Sequence, residues 1–319
     1  MLMILLAQIL LPLLLLAWLA FLPAAGWLAW GLQVLAIAAA LFGMTLAMLW
    51  AMPPFWTPYL YWVLLALIVA SQWWRGLVDG SGLWNTGVLH SGALLLLVAL
   101  GILGAYLGFT ALQGRQIPDQ EVIDVAMPFP AGDYLVAHGG SRTLVNVHLQ
   151  TLNPDVERFR AYRGQSRALD IFRITPWGFN VRGLRPEDPE AYVSFGTPLL
   201  APCGGRVDKV VSGVPDNPVP MMNREQMAGN YVAINCGGFY LVMAHFRQDT
   251  ITVREGQAVE VGDLLGELGN SGNSSEPHLH IHAQRGLPEE APLGGEPLSL
   301  TFNGLYPVRN ARFRVPNEQ

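Results

Sequence analysis

The sequence predicts a two-part chain: an N-terminal α-helical membrane region followed by a C-terminal all-β domain, an antiparallel sandwich or partly open barrel. Three observations predict it. No Asp, Glu, Lys or Arg occurs between Met1 and Trp74, and only Arg75 and Asp79 precede Arg115. From Tyr134 onward, short alternating or β-branched runs are punctuated by Gly, Asn, Asp and Pro. Hardly any segment of that second part carries the 3.6-residue apolar period of a packed helix. At 319 residues the chain has room for two domains. Composition divides it into residues 1–113, a polar Pro-bearing linker over 114–133, and 134–319.

In the first part a membrane-crossing helix needs about 20 apolar residues. Four stretches qualify: Leu2–Leu22, Gly26–Trp50, Trp56–Trp73 and Ser91–Leu112. Pro23 and the run Ala24-Ala25-Gly26 separate the first two, and Pro53-Pro54 ends the second. Trp50, Trp56, Trp73, Trp74 and Trp84 cluster at span ends, where amphipathic rings favour the bilayer interface. The first span lacks the positive n-region of a cleaved signal peptide and more spans follow, so it reads as an anchor. Four spans put both ends of the chain on one side. Arg75, in the third loop, favours a cytoplasmic loop and hence an exported C-terminal domain. The expected location is the inner (cytoplasmic) membrane, multi-pass, with the β domain periplasmic or extracellular and the lipid bilayer as a partner.

In the second part, "GRVDKVVSG", "NYVAINC", "FYLVMAHF" and "LLGELG" read as strands, with Gly237-Gly238 as a two-residue hairpin turn. Two long Pro/Asn-rich loops, Ile174–Ser194 and Pro215–Gly229, fit either functional loops or surface insertions. Cys203 and Cys236 are the only cysteines, compatible with one disulfide in an oxidising compartment or with two buried thiols. The formal net charge of −5 falls almost wholly in this part, and no basic cluster points to nucleic acid.

Three of the seven histidines lie within five residues, in "GNSGNSSEPHLHIHAQ". On a strand His278, His280 and His282 share one face and Leu279, Ile281 and Ala283 the other. Same-face neighbours are roughly 6.5–7 Å apart, so one metal does not take two adjacent imidazoles. A division of labour is expected, one His on a metal and the next beside a substrate. Other candidate ligands are His138, His148, His245 and Asp170, which opens the apolar run "LDIFRI". His245 ends the apolar run "LVMAHF", where an unpaired imidazole costs about 1–3 kcal/mol.

The order Ala-Pro-x-x-Gly-x-Val, Gly-Asn-Tyr-Val, Ala-His-Phe, Val-x-x-Gly-x-x-Val, Gly-Asn-Ser-Gly, Pro-His-Leu-His, across Leu169 to Arg285, resembles the LytM/lysostaphin-type zinc metallopeptidases of family M23. The resemblance implies a LytM-like fold, Zn2+ as cofactor, a peptide or peptidoglycan substrate, His280 and Asp170 as ligands, and His245 with His278 as the catalytic pair. One element departs. The family's upstream pair is His-x-x-x-Asp, and here the segment reads Ser166-Arg167-Ala168-Leu169-Asp170. The stretch "GGSRTLVNVH … GQSRALD" is similar to a subgroup with Asn-x-His before Gln-x-x-Ala-x-Asp, which makes His148 the expected replacement ligand and His138 the alternative. His282 receives no role. Arg167 and Glu276 are expected to be solvated. The expected function is a membrane-anchored zinc endopeptidase acting on peptidoglycan cross-links. The alternative is a degenerate LytM module that binds cell wall or regulates another wall hydrolase.

Overall fold

The computed structural model describes residues 5–76 and 82–316; Leu2–Ile4 of the first candidate span and Asp79 lie outside them. The chain forms two compact units, Met1–Gln113 and Gly114–Gln319.

The first unit is helical: a π-turn over Leu5–Leu10, then α1 (Leu11–Phe21), α2 (Trp27–Ala47), α3 (Thr57–Trp74) and α4 (Val88–Gln113). Each candidate span overlaps one of these helices, but among the described residues only α2 and α4 are long and apolar enough to cross a membrane. Helix α4 packs on α2 with no room for side chains between them. A Cβ on Gly43 would fall 2.3 Å from the Gly104 carbonyl oxygen, and one on Gly101 2.7 Å from the Ala36 Cα. Small residues allow this backbone approach, the packing typical of apolar helices in lipid. Buried polar groups inside the bundle find partners there. Gln72 accepts from the Trp30 indole (2.7 Å) and donates to the Leu19 carbonyl, and Gln33 joins Leu22 and Ala24. Leu95, Leu96, Ile102, Leu103 and Phe109 of α4 are exposed on its outer face.

The second unit is built on one large sheet. Its strands are β1 (Val122–Val125), β2 (Gly132–His138), β3 (Leu169–Ile174), β4 (Pro198–Leu200), β5 (Gly205–Val211), β6 (Asn230–Asn235), β7 (Tyr240–Phe246), β8 (Ala258–Val259), β9 (Leu264–Glu267), β10 (Leu279–Arg285), β11 (Glu296–Phe302) and β12 (Arg312–Val315). Ten strands form the sheet along β12-β2-β3-β10-β7-β6-β5-β8, with β11 also on β10; β4 and β9 pair separately. The architecture is antiparallel except for the parallel pair β1 and β11. It departs from two matched sheets: the small two-stranded β4-β9 sheet contributes Leu199 and Leu265 to the same core as Val232, Ile234, Leu241 and Met243 of the large sheet. The expected linker also differs, because Val122–Val125 of it is a strand registered against Ser299–Phe302. Its Val-Ile-x-Val pattern suits a half-buried strand, and the surrounding Pro and polar residues masked that signal.

Alternation governs the faces. Leu279, Ile281 and Ala283 of β10 lie in the main core. Tyr231, Ala233, Val242 and Ala244 belong to a smaller cluster drawn from the alternate positions of β6 and β7. The turn Gly237-Gly238 joins β6 to β7 as expected, and both residues have positive φ (81° and 120°), which glycine alone adopts at no steric cost. Cys203 and Cys236 form a disulfide with Cα atoms 6.0 Å apart, resolving the two readings left open by the sequence.

Candidate metal centre

The site is assembled at the centre of the large sheet, where β3 and β7 flank β10. Asp170 and Ala244 both sit opposite His280 in register. His148, 22 residues before Asp170, arrives on a 3-10 turn over Val147–Leu152. Its Nε2 lies 2.9 Å from Asp170 Oδ2, and His280 Nδ1 lies 3.1 Å from Asp170 Oδ1. His148, Asp170 and His280 each offer a ligand atom, all within 4.8 Å of one another.

Two residues hold the His148 turn. Buried Asn146 caps it: its Oδ1 accepts from the His148 N–H (3.2 Å), and its Nδ2 donates to the carbonyls of Ala168 (3.0 Å) and Gly140 (3.4 Å). The turn is thereby tied to the backbone just before Asp170. Ser166, where the family's His would stand, is fully buried and bonded to Thr151 Oγ1 (2.7 Å) and to the Arg163 carbonyl. Thr151 Oγ1 also lies 2.9 Å from the His148 carbonyl, so the paired hydroxyls share that carbonyl and the one of Arg163 as acceptors. The serine thus supports the turn that carries His148.

His245 and His278 lie beside this cluster, their ring centroids 4.9 Å apart and His245 5.7 Å from His280. A bulge delivers His245. Phe246 pairs with Asn230 and Ala244 with Tyr231, which leaves His245 as the extra residue, at φ +66°. A non-glycine residue held there costs on the order of 1–3 kcal/mol and persists only when its surroundings fix it. Here the His245 N–H donates to Ala228 (3.1 Å), its carbonyl accepts from Gly269 (2.9 Å), and ring Nδ1 donates to the Ser271 carbonyl (2.8 Å). His278 Nδ1 donates to the Glu276 carbonyl (2.8 Å), and its Nε2 faces Asp170 Oδ1 at 3.5 Å. Both imidazoles therefore spend Nδ1 on backbone and keep Nε2 for the site.

Electrostatics separate the groups. Burial opposes ionisation of Asp170, but the charges and hydrogen bonds of His148 and His278 outweigh it and hold the carboxyl well below the usual range. Burial keeps His245 well below the ordinary imidazole value, reinforced by His278 and His280. His278 is also buried, yet the Asp170 charge and bond raise it above the ordinary value. Burial lowers His280 as well.

The turn Gly269–Glu276 is fixed by the two long loops. Asn217 donates to the carbonyls of Asn270 (2.9 Å) and Gly272 (2.7 Å), and Asn180 donates to Glu276 Oε2 (3.1 Å). Glu276 and Arg167 are therefore not the solvated residues expected. Burial raises the Glu276 carboxyl, and Arg167 is half-buried with its Nη2 on Gln120 Oε1 (2.6 Å).

His138 falls beside the cluster, its ring 5.9 Å from that of His148, and accepts from Arg309 Nη2 through Nδ1 (2.9 Å). Burial pushes His138 down to about 4 and Arg309 down to about 10. Arg309 also donates to the carbonyls of Ala137 (3.1 Å) and Leu144 (2.9 Å), joining β2 to the loop before the His148 turn. No sequence signal marked Arg309, which lies 171 residues from its partner. Gln284, fully buried with its Oε1 3.3 Å from His282 Nε2, was in contrast readable by carrying the His face of β10 one step further.

The donor set fits a metal ion. Two imidazole nitrogens and a carboxylate suit Zn2+ among the common divalent ions, and the Asp170 carboxylate faces the imidazoles of His148, His278 and His280 rather than Arg or Lys.

Residues 191–292 match peptidase family M23, so the chain carries a peptidase M23 domain. The matched stretch includes His245, His278 and His280 and begins after His148 and Asp170. Peptidoglycan DD-endopeptidase ShyA of Vibrio cholerae is 34% identical over 122 residues, 38% of this chain and 27% of that protein. ShyB, a peptidoglycan DD-endopeptidase of the same organism, is 25% identical over 251 residues, 70% of this chain and 57% of that protein. The chain thus spans about a quarter to just over half of these relatives' length. The catalytic domain of lysostaphin from Staphylococcus simulans aligns at 20% identity over 39% of this chain and 71% of its own, with a TM-score of 0.25.

Proposed function

We propose, from the peptidase M23 domain and the cluster built upstream of it, that this chain is a zinc endopeptidase cleaving peptide cross-links of peptidoglycan. One observation carries the reading: His148, Asp170 and His280, drawn from three separated segments, offer ligand atoms within 4.8 Å of one another. Ser166 supports the replacement by bonding to the turn that bears His148 instead of occupying a ligand position. The relatives named as peptidoglycan DD-endopeptidases supply the substrate class.

When bound, zinc supplies Lewis acidity, lowering the pKa of a coordinated water toward about 7 and polarising a scissile carbonyl. The chain's own residues handle the proton. His245, neutral and with Nε2 free, accepts it as general base; its Nδ1–H on Ser271 fixes that tautomer. His278, its pKa raised beside Asp170, donates from Nε2 to the oxyanion or the leaving amine. The loops bonded to Gly269–Glu276 hold His278 in line.

The helical unit anchors the domain as a multi-pass membrane segment. The close α2-α4 packing and the apolar outer face of α4 support contact with lipid. The Cys203–Cys236 disulfide supports an exported, oxidising location for the β unit.

The test measures zinc content of the full chain and of His148→Ala, with cleavage of purified cross-linked muropeptides. Wild type is expected to hold one zinc and cleave, and the variant to lose both. Equal zinc in both refutes the ligand set. A wild type that holds zinc without cleaving favours the degenerate wall-binding module.

A further inference from the structure

His282 and Gln284 take no part in the proton handling above, yet both are completely buried on the His face of β10. They extend it as a chain of hydrogen bonds. His280 Nε2 lies 3.2 Å from His282 Nδ1, and His282 Nε2 lies 3.3 Å from Gln284 Oε1. Gln284 Nε2 then donates to the carbonyls of Gly286 and Pro292, both at 2.8 Å.

Each link assigns the proton in the next. Two carbonyls can only accept, so the amide nitrogen of Gln284 must face them and its Oε1 must face His282. That oxygen also only accepts, so His282 Nε2 carries a hydrogen. Neither His280 nor Gln284 is anionic, and an imidazolium sealed between them would be an uncompensated buried charge. His282 is therefore neutral, with a bare Nδ1. His280 must donate to it from Nε2, so a neutral His280 has its Nδ1 as a lone pair, facing Asp170 Oδ1 at 3.1 Å. In that form two acceptors confront each other, an arrangement that a metal cation between them completes and that a proton on Nδ1 relieves when the metal is removed.

The far end of the chain is clamped. A Cβ on Gly164 would fall 1.8 Å from Gln284 Oε1, and one on Gly295 2.8 Å from Gln284 Cδ. A side chain at Gly164 would displace the carboxamide, and Gly295 lies against both it and the Gly286 and Arg285 carbonyls (2.5 and 2.7 Å from its Cβ position).

We infer that His282 and Gln284 are positioning residues, a tautomer relay that keeps the Nδ1 lone pair of His280 directed at the metal position. The inference rests on the metal reading proposed above. The third histidine of His-Leu-His-Ile-His thereby selects which nitrogen of the second one binds.

The relay is tested on full-length, metal-stripped protein labelled with 15N-histidine, using long-range proton–nitrogen correlation spectra to read tautomers, and by zinc affinity against a chromophoric chelator. In wild type, both rings are expected to carry a hydrogen on Nε2, with His282 Nδ1 bare; a His280 protonated at Nδ1 alone overturns the relay. His282→Leu is expected to mix the His280 tautomers and weaken zinc binding about 10–100-fold. His282→Gln, whose carbonyl accepts from His280 and whose amide donates to Gln284, is expected to stay within about threefold of wild type, the change left when the acceptor is kept. A Leu variant that binds zinc like wild type, or a Gln variant that loses as much as Leu, also overturns it. If neither variant folds, the wild-type tautomers decide. Zinc binding with the wrong tautomer sinks the relay alone, whereas the right tautomer without zinc binding sinks the metal reading.

Discussion

Asn146→Asp is expected to damage the protein about as much as Asn146→Ala, although Asn and Asp are near equals at an ordinary helix cap. The difference lies in what the second end of the side chain does. Its Oδ1 caps the His148 turn, which Asp would preserve, but its Nδ2 donates to the carbonyls of Ala168 and Gly140. In Asp a second oxygen would face those two acceptors in a site where Asn146 is only 1% exposed. Ala removes three hydrogen bonds at roughly 1 kcal/mol each, so a loss of about 3 kcal/mol follows. For a unit of this size that lowers Tm by about 6–12 °C. Zinc affinity should fall about 10–100-fold in both variants, because the turn that aims His148 is released. Thermal unfolding and chelator competition on the full chain measure the two effects. An Asn146→Asp protein with wild-type Tm and zinc affinity would refute the account, reducing Asn146 to a simple cap.

Two further outcomes follow from other parts of the β unit. The Cys203–Cys236 bond closes a loop with a sequence separation of 33, worth about 4 kcal/mol of chain entropy, so Cys203→Ser with Cys236→Ser should lower unfolding stability by that order without changing zinc content; an unchanged denaturation midpoint would contradict it. His138 is held at about 4 when folded against about 6.5 unfolded, so the unfolded chain binds more protons between those values and stability falls as pH drops through that window. The contribution is up to about 3 kcal/mol, since 2.5 pH units at 1.36 kcal/mol each bound it. Burial-lowered His245 and His282 act in the same direction and His278, raised, opposes them. His138→Asn, which keeps an acceptor for Arg309, should therefore flatten the acid limb of metal-free denaturation curves, and an unaltered slope would exclude His138 from it.

Much of the site was legible because it is local. Strand alternation alone separated the His face of β10 from the Leu279, Ile281 and Ala283 face, and β10 obeys it residue by residue. The same rule, carried two residues further, would have reached Gln284. Legibility failed where a residue's environment comes from distant chain. Glu276 and Arg167 read as solvated charges because nothing nearby in sequence announces Asn180 or Gln120, their partners. The 114–133 stretch read as a linker because a short parallel strand needs β11, contributed from far along the chain, before it has a ladder to join.

The sequence by itself determined the division between an uncharged helical part and a β part, the sharing of one face by His278, His280 and His282, and the gap at Ser166. The first two follow from composition and from the two-residue period of a strand, which any register preserves; the gap follows from the resemblance to family M23. Only the tertiary structure decided that His148 meets Asp170 and His280, that Ser166 and Asn146 brace its turn, and that His282 lies within hydrogen-bond reach of both His280 and Gln284. These depend on which strands lie side by side and on which turns and loops reach them, and both are set by contacts between segments whose separation in the chain carries no record of their meeting.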